Sequence, residues 1–219
     1  PSPSSPPDGR KYHGMAYVGD DNVLLFGGGV SSSNSETWIY DLSANTWTDK
    51  SPSTYPSARS DHAMAYIGDD QVLLFGGNDG SNDDETWLYD LSANTWTNKS
   101  PSTKPGARSY HAMAYMGDDQ VLLFGGNDGT WDNETWIYDL SSDNWVQDSN
   151  SSQPSARYYH AMCATSMSGS SYLLLNGGNT STGVNDETWT FGGGDYSLPV
   201  ELSSFNAAST RCDAITLTW

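Results

Sequence analysis

The chain has 219 residues, 27 of them acidic and 9 basic, for a formal charge of −18. That balance repels phosphate backbones and anionic lipid, which excludes nucleic acid and acidic membrane surfaces as natural partners. No run of about 18 apolar residues exists to cross a bilayer, and the length suits one all-β domain with a sizeable core.

Histidines at 13, 62, 111 and 160 recur every 49 residues, each at the same phase of a longer pattern. The pattern runs Arg-x-x-His, an apolar stretch ending in Gly-Gly, Glu-Thr-Trp, Tyr-Asp-Leu and Trp. A period of this length means one supersecondary unit copied in tandem, with neighbours stacking to bury their faces. Units start near residues 10, 59, 108 and 157; the second and third agree at 33 of 49 positions, enough to align them without a gap.

In chain order, each unit predicts four strands. The first is His-Ala-Met-Ala-Tyr (62–66, 111–115). Gly-Asp-Asp (19–21, 68–70, 117–119) then makes a tight hairpin. The second is Val-Leu-Leu-Phe (23–26, 72–75, 121–124), with Tyr-Leu-Leu-Leu at 172–175; a short apolar run ending at glycine suits a strand buried on both faces. The third is 37–42, 86–91 and 135–140. The fourth is 45–48, 94–97 and 143–146. Pro/Ser-rich stretches join the units, and nothing has helical periodicity. Four short antiparallel strands, copied, predict blades of an all-β propeller over residues 1–195.

The diglycines at 27–28, 76–77 and 125–126, the tyrosines 40, 89 and 138, and the tryptophans 47, 96 and 145, with six residues between each tyrosine and its tryptophan, resemble the kelch repeat. The Pro-x-x-Arg-x-x-His lead-in (Pro56, Arg59, His62 and its copies) is similar to kelch as well. The resemblance implies a β-propeller of the galactose-oxidase-like type. It leaves function open, since kelch propellers serve as enzymes, adaptors and adhesins.

The fourth unit departs from the pattern. Gly177-Gly178 is kept, but Phe191 replaces the tyrosine and no fourth-strand tryptophan follows, so an open edge is expected. Kelch-like propellers commonly complete such a blade with a strand from the far end of the domain. A stretch before Pro1, or whole blades before it, is therefore expected; a closed four-blade ring is geometrically possible, and an incomplete ring is the leading expectation. Residues 196–219 read as a linker and the start of another module. The run 197–205 resembles the junction of surface proteins exported by the type IX route, which carry a fibronectin-type-III-like sandwich; that likeness implies a secreted protein. The chain stops within the alternating run 214–219, so a longer polypeptide is expected. Cys163 fills the slot of Ala65 and Ala114 and is expected as a small buried hydrophobe. Its pairing with Cys212 is not decided by sequence.

Candidate sites fall into four groups. Arg10, Arg59, Arg108 and Arg157, with His13, His62, His111 and His160, either ring an anionic or carbohydrate ligand near the axis or hold the blades together, as features copied in every blade usually do. Asp79, Asp83, Asp128 and Asp132 lie in oxygen-rich loops that suit Ca²⁺ or plain Asx turns; the spacing is not that of an EF-hand, and no other cofactor is expected. Glu36, Glu85, Glu134 and Glu187 precede Thr-Trp and read as structural acceptors. Trp131 stands in a loop where the second unit has Asn82, and reads as an exposed anchor for a sugar or a protein. Asn98, Asn133, Asn150 and Asn179 are glycosylation sequons.

No Gly-x-Ser-x-Gly, phosphate loop or free histidine suggests catalysis. The leading expectation is a secreted, non-catalytic binding or adhesion module for a protein or carbohydrate partner. The alternatives are a self-assembling fibre subunit and a fragment of a kelch-like enzyme whose active site lies in other blades.

Overall fold

Two aspartates set the geometry of the hairpin that opens each of the first three units. In the computed structural model, which describes residues 3–149, 153–167, 170–192, 207–208 and 216–217, β1 (Gly14–Gly19) and β2 (Asn22–Phe26) pair antiparallel around Asp20 and Asp21. Both have positive φ, 48° and 60°. That mirror-image turn matches the twist of paired strands, and Asp tolerates it better than most residues. The chain then passes to β3 (Thr37–Asp41) and β4 (Thr46–Asp49). Asp41 closes the β3–β4 turn by accepting the Ala44 amide and the Ser43 hydroxyl, each at 2.7 Å. These bonds hold its carboxyl below the usual range.

The second unit repeats the sheet with β5 (Ala63–Gly68), β6 (Gln71–Phe75), β7 (Thr86–Asp90) and β8 (Thr95–Asn98). The third has β9 (Ala112–Gly117), β10 (Gln120–Phe124), β11 (Thr135–Asp139) and β12 (Asn144–Asp148). Each is a four-stranded antiparallel blade with strands in sequence order. The all-β propeller architecture read from the repeat is therefore the observed one. The first strand begins after the histidine, because the residue before it turns left-handed: Asp61 and Tyr110 have φ of 58° and 60°.

Packing between blades follows from the period-two alternation of the strands. The second blade sends Ala63, Ala65, Leu73 and Phe75 forward against Val121, Leu123, Trp136, Tyr138 and Trp145 of the third. Its other face, Val72, Leu74, Trp87, Tyr89 and Trp96, receives Leu24 and Phe26 of the first blade. Leu73, Leu74 and Phe75 are all fully buried, each contributing about 1.5–3 kcal/mol. The tryptophans also reach across: Trp96 Nε1 donates to Thr37 Oγ1 and Trp145 Nε1 to Thr86 Oγ1, both at 3.0 Å.

The fourth unit forms β14 (Ala161–Met167), β15 (Ser170–Asn176) and β18 (Thr188–Gly192), three paired strands among the described residues. Short strands β13 (Arg157–Tyr158), β16 (Asn179–Thr180) and β17 (Gly183–Val184) pair beside them. No tryptophan there reaches Thr135, whose hydroxyl is buried without a partner. The forward side of this blade carries Cys163, Asn176 and Thr190 where the third has Ala114, Phe124 and Ile137. Cys163 is exposed, not buried as its slot suggested, because no described blade covers that side. Cys212 lies outside the described residues, as does most of the expected fibronectin-like segment; there, β19 (Ala207–Ala208) pairs with β20 (Thr216–Leu217).

Candidate interaction face

The four arginines act inside their own blades. Arg59, fully buried, donates from Nη1 to Gly76 O at 3.0 Å and from Nη2 to Glu85 Oε2 at 2.6 Å, with Asp83 Oδ2 3.2 Å away. The same Glu85 oxygen accepts Trp87 Nε1 at 2.8 Å. Arg10–Glu36–Trp38, Arg108–Glu134–Trp136 and Arg157–Glu187–Trp189 repeat the arrangement. Each latch ties the lead-in of a blade to the start of its third strand. The arginine backbone meanwhile joins blades: Gly28 N donates to Arg59 O and Gly77 N to Arg108 O, each at 2.9 Å. Close packing requires the glycines on both sides: a Cβ on Gly76, which has φ +63°, would stand 2.7 Å from Arg108 O of the next blade. A Cβ on Gly77, which has φ +100°, would stand 2.7 Å from Ser60 O and 2.8 Å from His62 Cβ.

The histidines are packing groups as well. His62, His111 and His160 lie edge-on to Phe26, Phe75 and Phe124 of the preceding blade, with ring centroids 5.5–5.6 Å apart. His160 Nε2 meets Phe124 O at 3.1 Å. His62 and His111 face the corresponding carbonyls without reaching hydrogen-bond geometry. Burial, then the charge of the neighbouring arginine, lowers the pKa of His62 to about 3 and of His160 to about 4, and holds His111 well below its usual value. All are neutral at pH 7. His13, half-exposed, is lowered for the same reasons.

Both positions between arginine and histidine vary, and the one next to the histidine is tyrosine in three blades and aspartate in the second. Tyr12, Asp61, Tyr110 and Tyr159 lie two residues before the innermost strands, which neighbour one another around the axis. All four are left-handed, with φ of 58–63°. A backbone relay joins them: Asp61 N to Tyr12 O, Tyr110 N to Asp61 O and Tyr159 N to Tyr110 O, at 2.9, 3.0 and 3.2 Å. Left-handed backbone is strained for a bulky aromatic, by about 1–3 kcal/mol each, and such strain clusters at functional sites.

The side chains of this rim form an aromatic cluster. Tyr110 and Tyr159 have ring centroids 4.5 Å apart, Tyr158 and Tyr159 4.8 Å, and Trp131 and Tyr158 5.6 Å. Tyr159 is 56% exposed and Trp131 38%. Burial, then the hydrogen bond with Tyr110 and the charge of Asp61, pushes the Tyr159 phenol up to about 12. Polar side chains tie the adjacent loops together: Asn82 Nδ2 donates to Asn127 O at 2.8 Å and Ser109 Oγ to Asn82 Oδ1 at 2.9 Å. The exposure expected of Trp131 is thus observed, and it does not stand alone. Tyr12, Asp61, Tyr110, Tyr158 and Tyr159 escaped the sequence reading; their signal was the variation of an otherwise copied motif.

The loop carboxylates are engaged by protein. Asp83 and Asp132 pair with Arg59 and Arg108. Asp79 accepts the Ser57 hydroxyl, and Asp128 accepts both the amide and hydroxyl of Thr130. Among the described residues no three His, Cys, Asp or Glu side chains gather to hold a metal. Asn98 ends β8 and is exposed, as is Asn133. Asn179 is half-buried and donates to the Tyr158 hydroxyl. Asn150 lies outside the described residues. A polar hollow of about 270 Å³ beside the second blade, lined by Asp84, Glu85, Asn98 and Lys104, carries no aromatic group.

The family model of the KLHDC2/KLHL20/DRC7 Kelch-repeats domain matches residues 1–178. No curated protein matches the chain.

Proposed function

From the premise that the chain belongs to the Kelch-repeat family, we propose that it is a non-catalytic docking module whose contact face is the aromatic rim at the axis. One observation carries the reading. Every group copied in all four blades is consumed by the scaffold, whereas the position before the histidine is tyrosine in three blades and Asp61 in the second, Trp131 stands where the second blade has Asn82, and these side chains are partly exposed. A single partner needs such asymmetry, and exposed Tyr and Trp are the side chains that anchor protein interfaces. The reading extends to a secreted or surface protein, supported by the resemblance of the run 197–205 to an export-linked junction and by the acidic surface. A carbohydrate remains the second partner class that exposed aromatic rings suit.

The test is a selection of binders from a displayed random-peptide library, run in parallel on the unaltered chain and on the combined variant Tyr110→Asn, Tyr159→Asn, Trp131→Asn. The expected result is that peptides selected on the unaltered chain are lost on the variant. Peptides that bind both equally would show that the contact face lies elsewhere.

A further inference from the structure

Resting on that reading, we propose that the aromatic rim seats a cationic side chain, arginine above all, from an extended segment of the partner protein. The rings are inclined to one another: 41° between Trp131 and Tyr158, 47° between Tyr158 and Tyr159, and 57° between Tyr110 and Tyr159. Rings set this way form walls, not a platform. A sugar stacks best on one flat exposed ring, whereas a cation is attracted to the faces of several at once. The rim already holds one such contact of its own, with Lys11 Nζ 4.8 Å from the centre of the Tyr12 ring.

Charge points the same way. Asp61 lies among the rim residues, where it accepts the Ser60 hydroxyl at 2.8 Å and feels the charge of Lys11. Burial raises the pKa of its carboxyl, so a cation arriving beside it relieves a desolvated charge. The arginines that would neutralise this face are shut away: Arg59, Arg108 and Arg157 are 0–1% exposed and bonded to their own glutamates. The net charge of −18 draws a basic segment in from a distance. Guanidinium suits the seat better than ammonium, since its planar, weakly hydrated group stacks on aromatic faces.

The experiment measures fluorescence anisotropy of a labelled peptide of three Gly-Ser-Arg repeats at physiological ionic strength. Matched peptides carry citrulline, glutamate or leucine in place of arginine, and maltohexaose is added as a competitor. The variants are Tyr159→Asn and Trp131→Asn, which leave the net charge unchanged. Asparagine already fills the Trp131 position in the second blade as Asn82, and it tolerates the left-handed backbone at residue 159. Unfolding midpoints of both variants are recorded to show that they fold. The proposal requires that the arginine peptide bind, that citrulline weaken it at least tenfold, and that each substitution weaken it about tenfold. If the citrulline, leucine or glutamate peptide binds as tightly and still needs the aromatic residues, or if maltohexaose displaces the arginine peptide, the cationic assignment is overturned while the contact face stands. If arginine binding ignores both substitutions, the attraction is a diffuse effect of the acidic surface, and both the assignment and the face fall. Absence of binding by every probe overturns the cationic assignment.

Discussion

The arginine latch makes a quantitative claim that a double-mutant cycle within one blade can test. Arg59 has two carboxylates, Glu85 at 2.6 Å and Asp83 at 3.2 Å. Arg10 has one, Glu36, because Asn34 takes the place of Asp83 and offers its amide oxygen at 3.2 Å. Asp83→Asn therefore copies a latch that the first blade already builds, and the expected cost is below about 1 kcal/mol, comparable to an ordinary hydrogen-bond adjustment. Glu85→Gln keeps an acceptor for Trp87 and removes the charge. With Asp83 still present, the loss of one charge-assisted bond costs about 1.5–3 kcal/mol. The low end of that range is expected, since the Glu85 side chain is 36% exposed and partly screened. In the Asp83→Asn background the same change leaves a fully buried guanidinium with no counter-charge, which costs about 3–5 kcal/mol. The coupling between the two sites is thus at least about 1 kcal/mol. Urea unfolding followed by tryptophan fluorescence, with unchanged denaturant slopes, measures all four corners. Strict additivity would refute the reasoning, since it would mean that Asp83 gives Arg59 no reserve of charge.

Other expectations follow from the same geometry. His62, His111 and His160 are neutral in the fold and titrate near 6.5 when unfolded, so the unfolded chain takes up more protons as pH falls. Stability is then lost between about pH 6.5 and 4, with a slope approaching about 1.4 kcal/mol per pH unit for each histidine; the raised Asp61, Asp83 and Asp132 act with opposite sign at lower pH. Unfolding midpoints of His111→Asn across that range should show a slope smaller by about one proton. Gly77→Ala should destabilise by more than about 3 kcal/mol in thermal unfolding, because both its φ and the contact with Ser60 O oppose a methyl group. Thr86→Val should cost about 1–3 kcal/mol by stranding Trp145 Nε1, whereas Thr135→Val should be neutral or stabilising, since that hydroxyl is already buried without a partner; equal effects at the two sites would contradict the inter-blade pairing.

The fold was legible because periodicity carries it. The 49-residue interval, the Gly-Asp-Asp turns and the apolar runs before each diglycine give strand number and order, and the strands of the first three blades fall within two residues of their expected bounds. The structural role of Glu36, Glu85, Glu134 and Glu187 was legible for the same reason. The interaction face was not. Its residues occupy an unremarked position inside a copied motif, and their approach depends on left-handed backbone that sequence spacing does not reveal. Cys163 misled because its slot was judged by the neighbouring repeats. Its burial depends on what lies across from the blade, and no described blade covers that side, where the fourth blade itself presents Asn176 in place of Phe124.

Scaffold and recognition fall on different residues, and hydrogen exchange read by mass spectrometry with and without the Gly-Ser-Arg peptide tests that separation most directly. Slowed exchange should concentrate at 10–13, 59–62, 108–111 and 157–160 and in the loop around Trp131, with β4, β8 and β12 unchanged. Protection confined to those outer strands, or spread evenly over the acidic surface, would contradict it.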